Sequence, residues 1–320
     1  MADSEAAVWS PAELHHQLAG ARPFAILDVR NEDEFAQWRI EGRSPLRSVN
    51  IPNFELLDLE HEKEEIATAV ARAVPLHLKG KLSEGEPVLV VCAKGDTSPH
   101  VAEGLRRQGY DAFNLEGGMA ARGDHYEMQP IVKSTRLTIL QISRPAKGCL
   151  SYLVASRGEA LVVDPARHIG SYMRLVSEQD WHLKAVIDSH LQADHVSGGV
   201  TLARRLHVDY RLHPYDAIHP WDLLPATFPC HYLEDETVFP LGEIYVRPLH
   251  VPGHTLRMVN LLVDSRYLLS GDTLFIDTIG HPDLGGRSQR LGTAVVSFPA
   301  APADPARCDR GSSGPLRQHA

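Results

Sequence analysis

Ser189-His190-Leu191-Gln192-Ala193-Asp194-His195 places two imidazoles, a carboxylate and an amide in one short stretch that follows an apolar run. Pro252-Gly253-His254-Thr255 and Ser270-Gly271-Asp272-Thr273 are two further turns with metal-ligating side chains, each again preceded by apolar residues. Imidazoles and carboxylates gathered at strand ends are costly to keep close together unless a cation neutralises them. The three turns therefore read as one metal site assembled from three loops. A second chemistry is suggested by Cys92-Ala93-Lys94-Gly95-Asp96-Thr97. A cysteine at the end of a strand, ringed by backbone N–H groups and backed by the positive end of a helix, is stabilised as a thiolate. The alternative for Cys92 is a small buried apolar side chain.

The elements that must present these residues can be read from punctuation and periodicity. Ser10-Pro11 caps and opens a helix ending at Gly20, Phe24 to Val29 reads as a buried strand, and a second helix covers Glu32 to Trp38. Pro87 to Val91 is a short apolar run leading into Cys92, and Ser98-Pro99 opens a helix that stops at Gly109. Strand, tight loop and helix in this order present a residue at the carboxyl end of a parallel strand. A polar stretch around Pro130 then separates this domain from a region of short strands: Leu137 to Ile142, Ser151 to Ala155 and Ala160 to Asp164. A helix follows through Arg174 and Val176. Lys184 to Ser189 delivers His190, and Gly198-Gly199 opens a helix carrying Leu202 and Leu206 inward. Ile244 to Leu249 leads toward His254, and Tyr267 to Leu269 leads to Asp272.

Asp28-Val29-Arg30, the six-residue loop opened by Cys92, and Asn114-Leu115-Glu116-Gly117-Gly118-Met119 resemble rhodanese, a sulfurtransferase family whose catalytic cysteine carries a persulfide. The resemblance implies an α/β domain, a parallel sheet flanked by helices, over residues 8–125. It gives Cys92 the catalytic role and residues Ala93, Lys94, Gly95, Asp96 and Thr97 the persulfide loop. Lys94 is the loop's one basic residue, and Asp96 sets a negative charge where thiosulfate or sulfite would approach. The related dual-specificity phosphatases close a longer loop with an Arg near the place of Ser98, which this chain lacks. Arg122 stands where the family has an aromatic residue, a change that concerns packing.

The three metal-ligand turns resemble the metallo-β-lactamase superfamily, which implies an α+β αββα sandwich over residues 135–290, after a linker at 126–134. Fused to a rhodanese domain, it looks most like the persulfide dioxygenases. Carried over by motif, the ligands of a mononuclear Fe(II) are His190, His254 and Asp272, with Gln192, Asp194 and His195 beside them and Arg257 and Arg287 available to substrate carboxylates. The implied reaction oxidises a glutathione persulfide-like molecule with dioxygen to sulfite and thiol, coupled to sulfane-sulfur transfer through Cys92 with thiosulfate or sulfite as partners. The rival within the fold is a dinuclear Zn(II) thioester hydrolase resembling glyoxalase II. Its His-x-His-x-Asp-His signature is altered here, because Gln192 replaces the second His. A further alternative is a weakly active or decayed sulfur-binding protein.

Composition fits these readings. The 320 residues suffice for two domains, and 43% hydrophobic with 23% charged residues is ordinary for globular proteins. A net charge of -9 argues against broad nucleic-acid binding, and no run approaches membrane-spanning length. Cys92, Cys149, Cys230 and Cys308 lie far apart without C-x-x-C spacing, and Asp3 and Glu5 make the start too acidic for a transit peptide. The expectation is a cytoplasmic protein with no nucleic-acid or membrane partner, and a homo-oligomer stays open. Cys149 reads as a small core residue, and His213, His219, His231 and His250 read as surface or structural. Residues 291–320 contain no Ile, Lys, Glu, Tyr or Trp and carry Pro299, Pro302, Pro305 and Pro315. They are expected to be a disordered tail that leaves the sandwich incomplete at its carboxyl end.

Overall fold

A computed structural model describes residues 7–20, 22–42, 45–56, 65–83, 85–191, 196–214, 229–255, 257–275 and 278–279. The chain divides into two compact units, Met1–Glu127 with Arg144–Gly148, and Met128–Ser143 with Cys149–Ala320.

The first unit runs β1 (Val8–Trp9), α1 (Pro11–Ala19), β2 (Ala25–Asp28), α2 (Glu32–Gln37), β3 (Arg47–Asn50), α3 (Asn53–Leu56), α4 (Ile66–His77), β4 (Val88–Val91), α5 (Ser98–Arg107), β5 (Ala112–Leu115) and α6 (Gly118–Asp124). Its strands form a parallel sheet in the order β1-β5-β4-β2-β3. Central strands β2 and β4 are buried throughout, as a parallel sheet covered on both faces requires. Leu27, Val88 and Val90 pack with Val70, Val74, Val101 and Leu105 of α4 and α5. Ile26, Leu89 and Val91 pack on the other face with Leu14 and Met119. The period of two therefore divides each strand between two cores. Ser10 Oγ caps α1 by accepting from Glu13 N at 3.1 Å, and α1 stops at Gly20 as its punctuation predicts.

The second unit contains β6 (Glu127–Lys133), β7 (Thr138–Arg144), β8 (Cys149–Ser156), β9 (Glu159–Val163), α7 (Gly170–Glu178), β10 (His182–Ile187), α8 (Gly199–Leu206), β11 (Asp209–Leu212), β12 (His231–Tyr232), β13 (Phe239–Leu241), β14 (Ile244–His250), β15 (Val259–Val263), β16 (Tyr267–Leu269), β17 (Leu274–Phe275) and β18 (Thr278–Ile279). A seven-stranded mixed sheet, β12-β11-β10-β9-β8-β7-β6, faces a four-stranded antiparallel sheet, β13-β14-β15-β16. Between them lie Leu161, Val163, Ala185 and Ile187 from one sheet and Val246, Val259, Leu261 and Val263 from the other. Tyr172 of α7 reaches Ser151 of β8 on the outer face, its hydroxyl 2.8 Å from Ser151 Oγ. Among the described residues, two facing sheets with α7 and α8 in the same unit agree with the sandwich expected from the sequence.

Residues 126–134, expected as a linker, instead supply the edge strand β6. Val132 packs against the inter-sheet core, and an edge strand tolerates the missing N–H of Pro130. The expected tail at 291–320 and the incomplete carboxyl end lie outside the described residues. Among those described, no helix is long and apolar enough to cross a membrane.

Candidate active sites

Cys92 leaves the end of β4 and is only 5% exposed. The chain then curls through residues 93–97 into α5. Gly95 N donates to Cys92 Sγ at 3.1 Å, and Ser98 Oγ lies 3.3 Å from the same sulfur. Burial pushes the Cys92 thiol up, but hydrogen bonds from the Ser98 hydroxyl and the backbone N–H groups of Ser98, Thr97 and Gly95 outweigh it. The net effect holds the thiol below its ordinary range.

The loop is fixed from behind by α6. Met119 N donates to Cys92 O at 2.9 Å and Ala120 N to Ala93 O at 3.0 Å, so both carbonyls are satisfied by the start of α6. The approach is close enough to demand glycine. A Cβ on Gly118 would stand 2.3 Å from Cys92 O, and one on Gly95 would stand 2.8 Å from Gly117 backbone. Asp28 and Arg30 serve the scaffold: both are buried, Arg30 Nη2 meets Asp28 Oδ2 at 2.7 Å, and it also donates to Trp38 O at 2.6 Å. Ala93, Lys94 and Asp96 are exposed, whereas Gly95 and Thr97 are half-buried. Arg122 lies over the Trp38 ring, 5.4 Å from its centroid, in keeping with a packing role.

In the second unit His190 follows β10, His254 lies in the β14–β15 connection, and Asp272 sits in a 3-10 turn, Gly271–Thr273, after β16. His190 and His254 are buried. Asp272 Oδ2 stands 3.7 Å from His190 Nε2 and 3.5 Å from His254 Nε2, and the two rings meet edge to face with centroids 5.6 Å apart. One donor atom from each lies within 4.8 Å of the others. Donors bound to one ion by bonds of about 2.1 Å stand about 3–3.5 Å apart, so Asp272 Oδ2 is near that spacing from both rings, and the wider cluster would draw in around a first-row divalent cation. Nitrogen, nitrogen and oxygen donors suit Fe(II) or Zn(II) chemically.

Local chemistry aims each of these side chains. Ser189 Oγ lies 3.0 Å from His190 Nδ1, which leaves Nε2 for the cluster. Ser189 N donates to Asp164 Oδ1 at 2.7 Å, and Ser197 Oγ donates to Asp188 Oδ2 at 2.6 Å, joined there by the Tyr210 hydroxyl. Burial and the Asp188 charge push the Asp164 carboxyl up to about 7 against the opposing pull of His190. Val251 N bonds Met258 O, and Gly253 N bonds Thr255 O, each at 2.9 Å, closing the turn that carries His254. Thr273 Oγ1 donates to Asn260 Oδ1 at 2.9 Å and holds the turn that carries Asp272. Gly271 has a positive φ of 47°, and a Cβ there would meet Ser189 Oγ at 2.9 Å.

Cys92 and its loop residues thus come together, as do His190, His254 and Asp272. Gln192, Asp194, His195 and Arg287 lie outside the described residues, as do His219 and Cys308. Arg257 is half-buried, three residues beyond His254. Asp164, Asp188, Ser189, Tyr210 and Ser98 were not singled out by sequence reasoning. Ser98 could have been suspected from its place at the helix start six residues after Cys92, and Ser189 from its adjacency to His190. Cys149 is half-buried at the start of β8 rather than in the core. His231 is exposed on β12 beside Asp209.

Comparison with known proteins separates the same two parts. The model of the metallo-beta-lactamase superfamily matches residues 144–313, and that of the rhodanese-like domain matches residues 10–122. An uncharacterized protein of Mycobacterium leprae is 30% identical over 171 residues, covering 46% of this chain and 78% of that protein. A hydroxyacylglutathione hydrolase of Acidiphilium cryptum is 31% identical over 125 residues, covering 39% of this chain and 49% of its own length. A metallo-beta-lactamase structure from Staphylococcus aureus aligns with a TM-score of 0.45 and 26% identity, covering 50% of each chain.

Proposed function

Because this chain belongs to the metallo-beta-lactamase superfamily and carries a rhodanese-like domain before that fold, we propose that it is an enzyme of thiol-bound sulfane sulfur. Its second unit oxidises a low-molecular-weight persulfide of the glutathione persulfide kind to sulfite and thiol. Its first unit moves sulfane sulfur through a persulfide on Cys92. The observation that carries this reading is the donor set, two imidazoles and one carboxylate within 4.8 Å. Such a set leaves positions open for small ligands, as non-haem Fe(II) oxygenases require. Gln192 supports it further, since a dinuclear hydrolase would need an imidazole at that position.

His190, His254 and Asp272 would hold Fe(II), which when bound supplies redox chemistry toward dioxygen. Ser189 orients His190, and the partial exposure of Asp272 keeps one side of the cluster open to a small ligand. The overall reaction balances: one persulfide, one dioxygen and one water give one thiol, one sulfite and two protons. The sulfur–sulfur bond breaks, the terminal sulfur is oxidised and dioxygen is reduced. In the first unit the Cys92 thiolate attacks the outer sulfur of thiosulfate, that sulfur–sulfur bond breaks, and sulfite leaves with the electron pair. The persulfide left on Cys92 faces the donors that stabilise the thiolate, Gly95 N and Ser98 Oγ.

Metal content of anaerobically purified protein, followed by oxygen uptake on adding glutathione persulfide, tests the reading. One iron per chain and one dioxygen consumed per sulfite formed is the expected result. A second reading, a dinuclear zinc thioester hydrolase, is favoured by the likeness to the hydroxyacylglutathione hydrolase of Acidiphilium cryptum. Two zinc ions per chain with fast thioester hydrolysis would select it. Gln192→His should then raise hydrolysis or invite a second metal rather than destroy the site.

A further inference from the structure

We propose that a cavity beside Arg122 in the first unit binds a small organic anion, a carboxylate carried on an apolar body. The cavity holds about 340 Å³ and is bordered by Leu14 and Leu18 of α1, by Glu41, by Arg122 of α6, and by Pro145 and Ala146. That volume is at the small end of the roughly 300–1,000 Å³ range of small-molecule sites. All of these residues belong to the first unit. Leu14 and Leu18 stand one turn apart on α1, so they share a face, and that face joins the core containing Trp9, Leu115 and Met119. One wall of the cavity is therefore apolar and anchored. Among the described residues, none from the Cys92 loop or from the His190, His254 and Asp272 cluster borders it.

Arg122 supplies the charge. Its guanidinium lies over the Trp38 ring with Cζ 5.4 Å from the centroid, and Lys147 Nζ stands 3.8 Å from the same centroid. Packing on an aromatic ring occupies the flat face of a guanidinium, whereas its N–H groups point outward in its plane and call for acceptors. Nη1 is buried and has no hydrogen-bond partner. Burial and the nearby Arg30 charge hold the group below its ordinary range, opposed by Glu41. A guanidinium keeps its proton in proteins, so that direction expresses a cation short of counter-charge. Neighbouring acids are committed to other cations: Asp28 meets Arg30 at 2.7 Å, Glu41 meets Arg39 at 3.0 Å and Asp124 meets Arg144 at 2.9 Å. Buried arginines are ordinarily paired. A carboxylate seated against Arg122 would supply the missing charge, and Leu14, Leu18 and Pro145 would cover the apolar remainder of the molecule.

The test uses the full-length protein and fluorine NMR with two probes, para-trifluoromethylbenzoate and its neutral amide, with inorganic sulfate as competitor. Wild type should bind the benzoate about tenfold or more tighter than the amide. Arg122→Gln should remove that preference, and Arg122→Lys should keep part of it. Ala19 also borders the cavity and is exposed at the end of α1, so Ala19→Phe fills the space without entering the core. It should weaken both probes about tenfold or more at an unchanged melting temperature. Equal affinity of wild type for the two probes, or no measurable binding of the benzoate, overturns the proposal. So does an undiminished preference in a folded Arg122→Gln protein. Should that variant not fold, Arg122→Lys and Ala19→Phe decide: benzoate held by Ala19→Phe at wild-type affinity is bound elsewhere, and the proposal falls. Sulfate that competes as tightly as the benzoate itself binds overturns it too, because the apolar wall would then contribute nothing.

Discussion

Ser98 governs how readily Cys92 ionises, because its hydroxyl is the strongest of the hydrogen bonds opposing burial. In Ser98→Ala the midpoint of Cys92 alkylation by iodoacetamide should therefore move to higher pH. The sign follows from the wild-type thiol, which is held below its ordinary value, so the thiolate persists to lower pH than in a free cysteine. Thiosulfate-dependent transfer near neutral pH should fall a few-fold in the same variant, as expected for one lost hydrogen bond. Incubation with thiosulfate should add one sulfur by intact mass, absent in Cys92→Ser. Burial pushes the Cys230 thiol up, which gives no reason for it to substitute. Asp96, exposed on the loop, should repel anionic donors, so Asp96→Val should lower KM for thiosulfate more than it changes kcat.

At the scale of elements, close approach of backbones is what shapes the catalytic loop. Gly118→Ala would set a methyl 2.3 Å from Cys92 O at a residue with a positive φ of 58°. The variant should lose sulfur transfer and melt several degrees lower, which activity and calorimetry can follow together. Gly104 plays the same part between α4 and α5, where a Cβ would meet Val70 Cγ1 at 2.6 Å. Gly104→Val should cost about 1–3 kcal/mol by overpacking, read from denaturant unfolding. Much of this scaffold was legible in the sequence. Ser10-Pro11 with Gly20 bounded α1, and the apolar runs before Cys92, His190 and Asp272 located β4, β10 and β16. What stayed hidden depended on long-range contacts. Helix α4 lacks a Ser, Thr, Asp or Asn cap and contains Pro75, so its packing on α5 and the sheet, not its local sequence, explains it. Strand β6 was masked by its polar residues and Pro130, which an edge accepts and a central strand would not. Ser189 and Asp164 meet across 25 positions of chain. Three of the residues assigned to the metal site from the first motif, Gln192, Asp194 and His195, fall outside the described residues.

For the molecule as a whole, the Cys92 loop and the His190, His254 and Asp272 cluster occupy separate compact units, each with its own core. Asp272→Ala should therefore abolish iron binding and oxygen uptake while leaving sulfur transfer through Cys92 nearly intact, as separate assays on one preparation would reveal. The origin of the metal donors has a further consequence. His190 comes from the end of the seven-stranded sheet, whereas His254 and Asp272 come from connections of the four-stranded sheet, and Val259 N bonds Ser189 O across the same seam at 2.9 Å. A cation held there rivets two layers that otherwise touch mainly through apolar side chains. Free metal at a hundred times its dissociation constant would add about 2.7 kcal/mol to unfolding. Chelator should thus lower the melting temperature and speed cleavage of the second unit by a nonspecific protease, even in Cys92→Ser, where sulfur chemistry is silent. In a cell starved of the metal, the protein would be lost to turnover as well as idled, so its abundance would report metal supply.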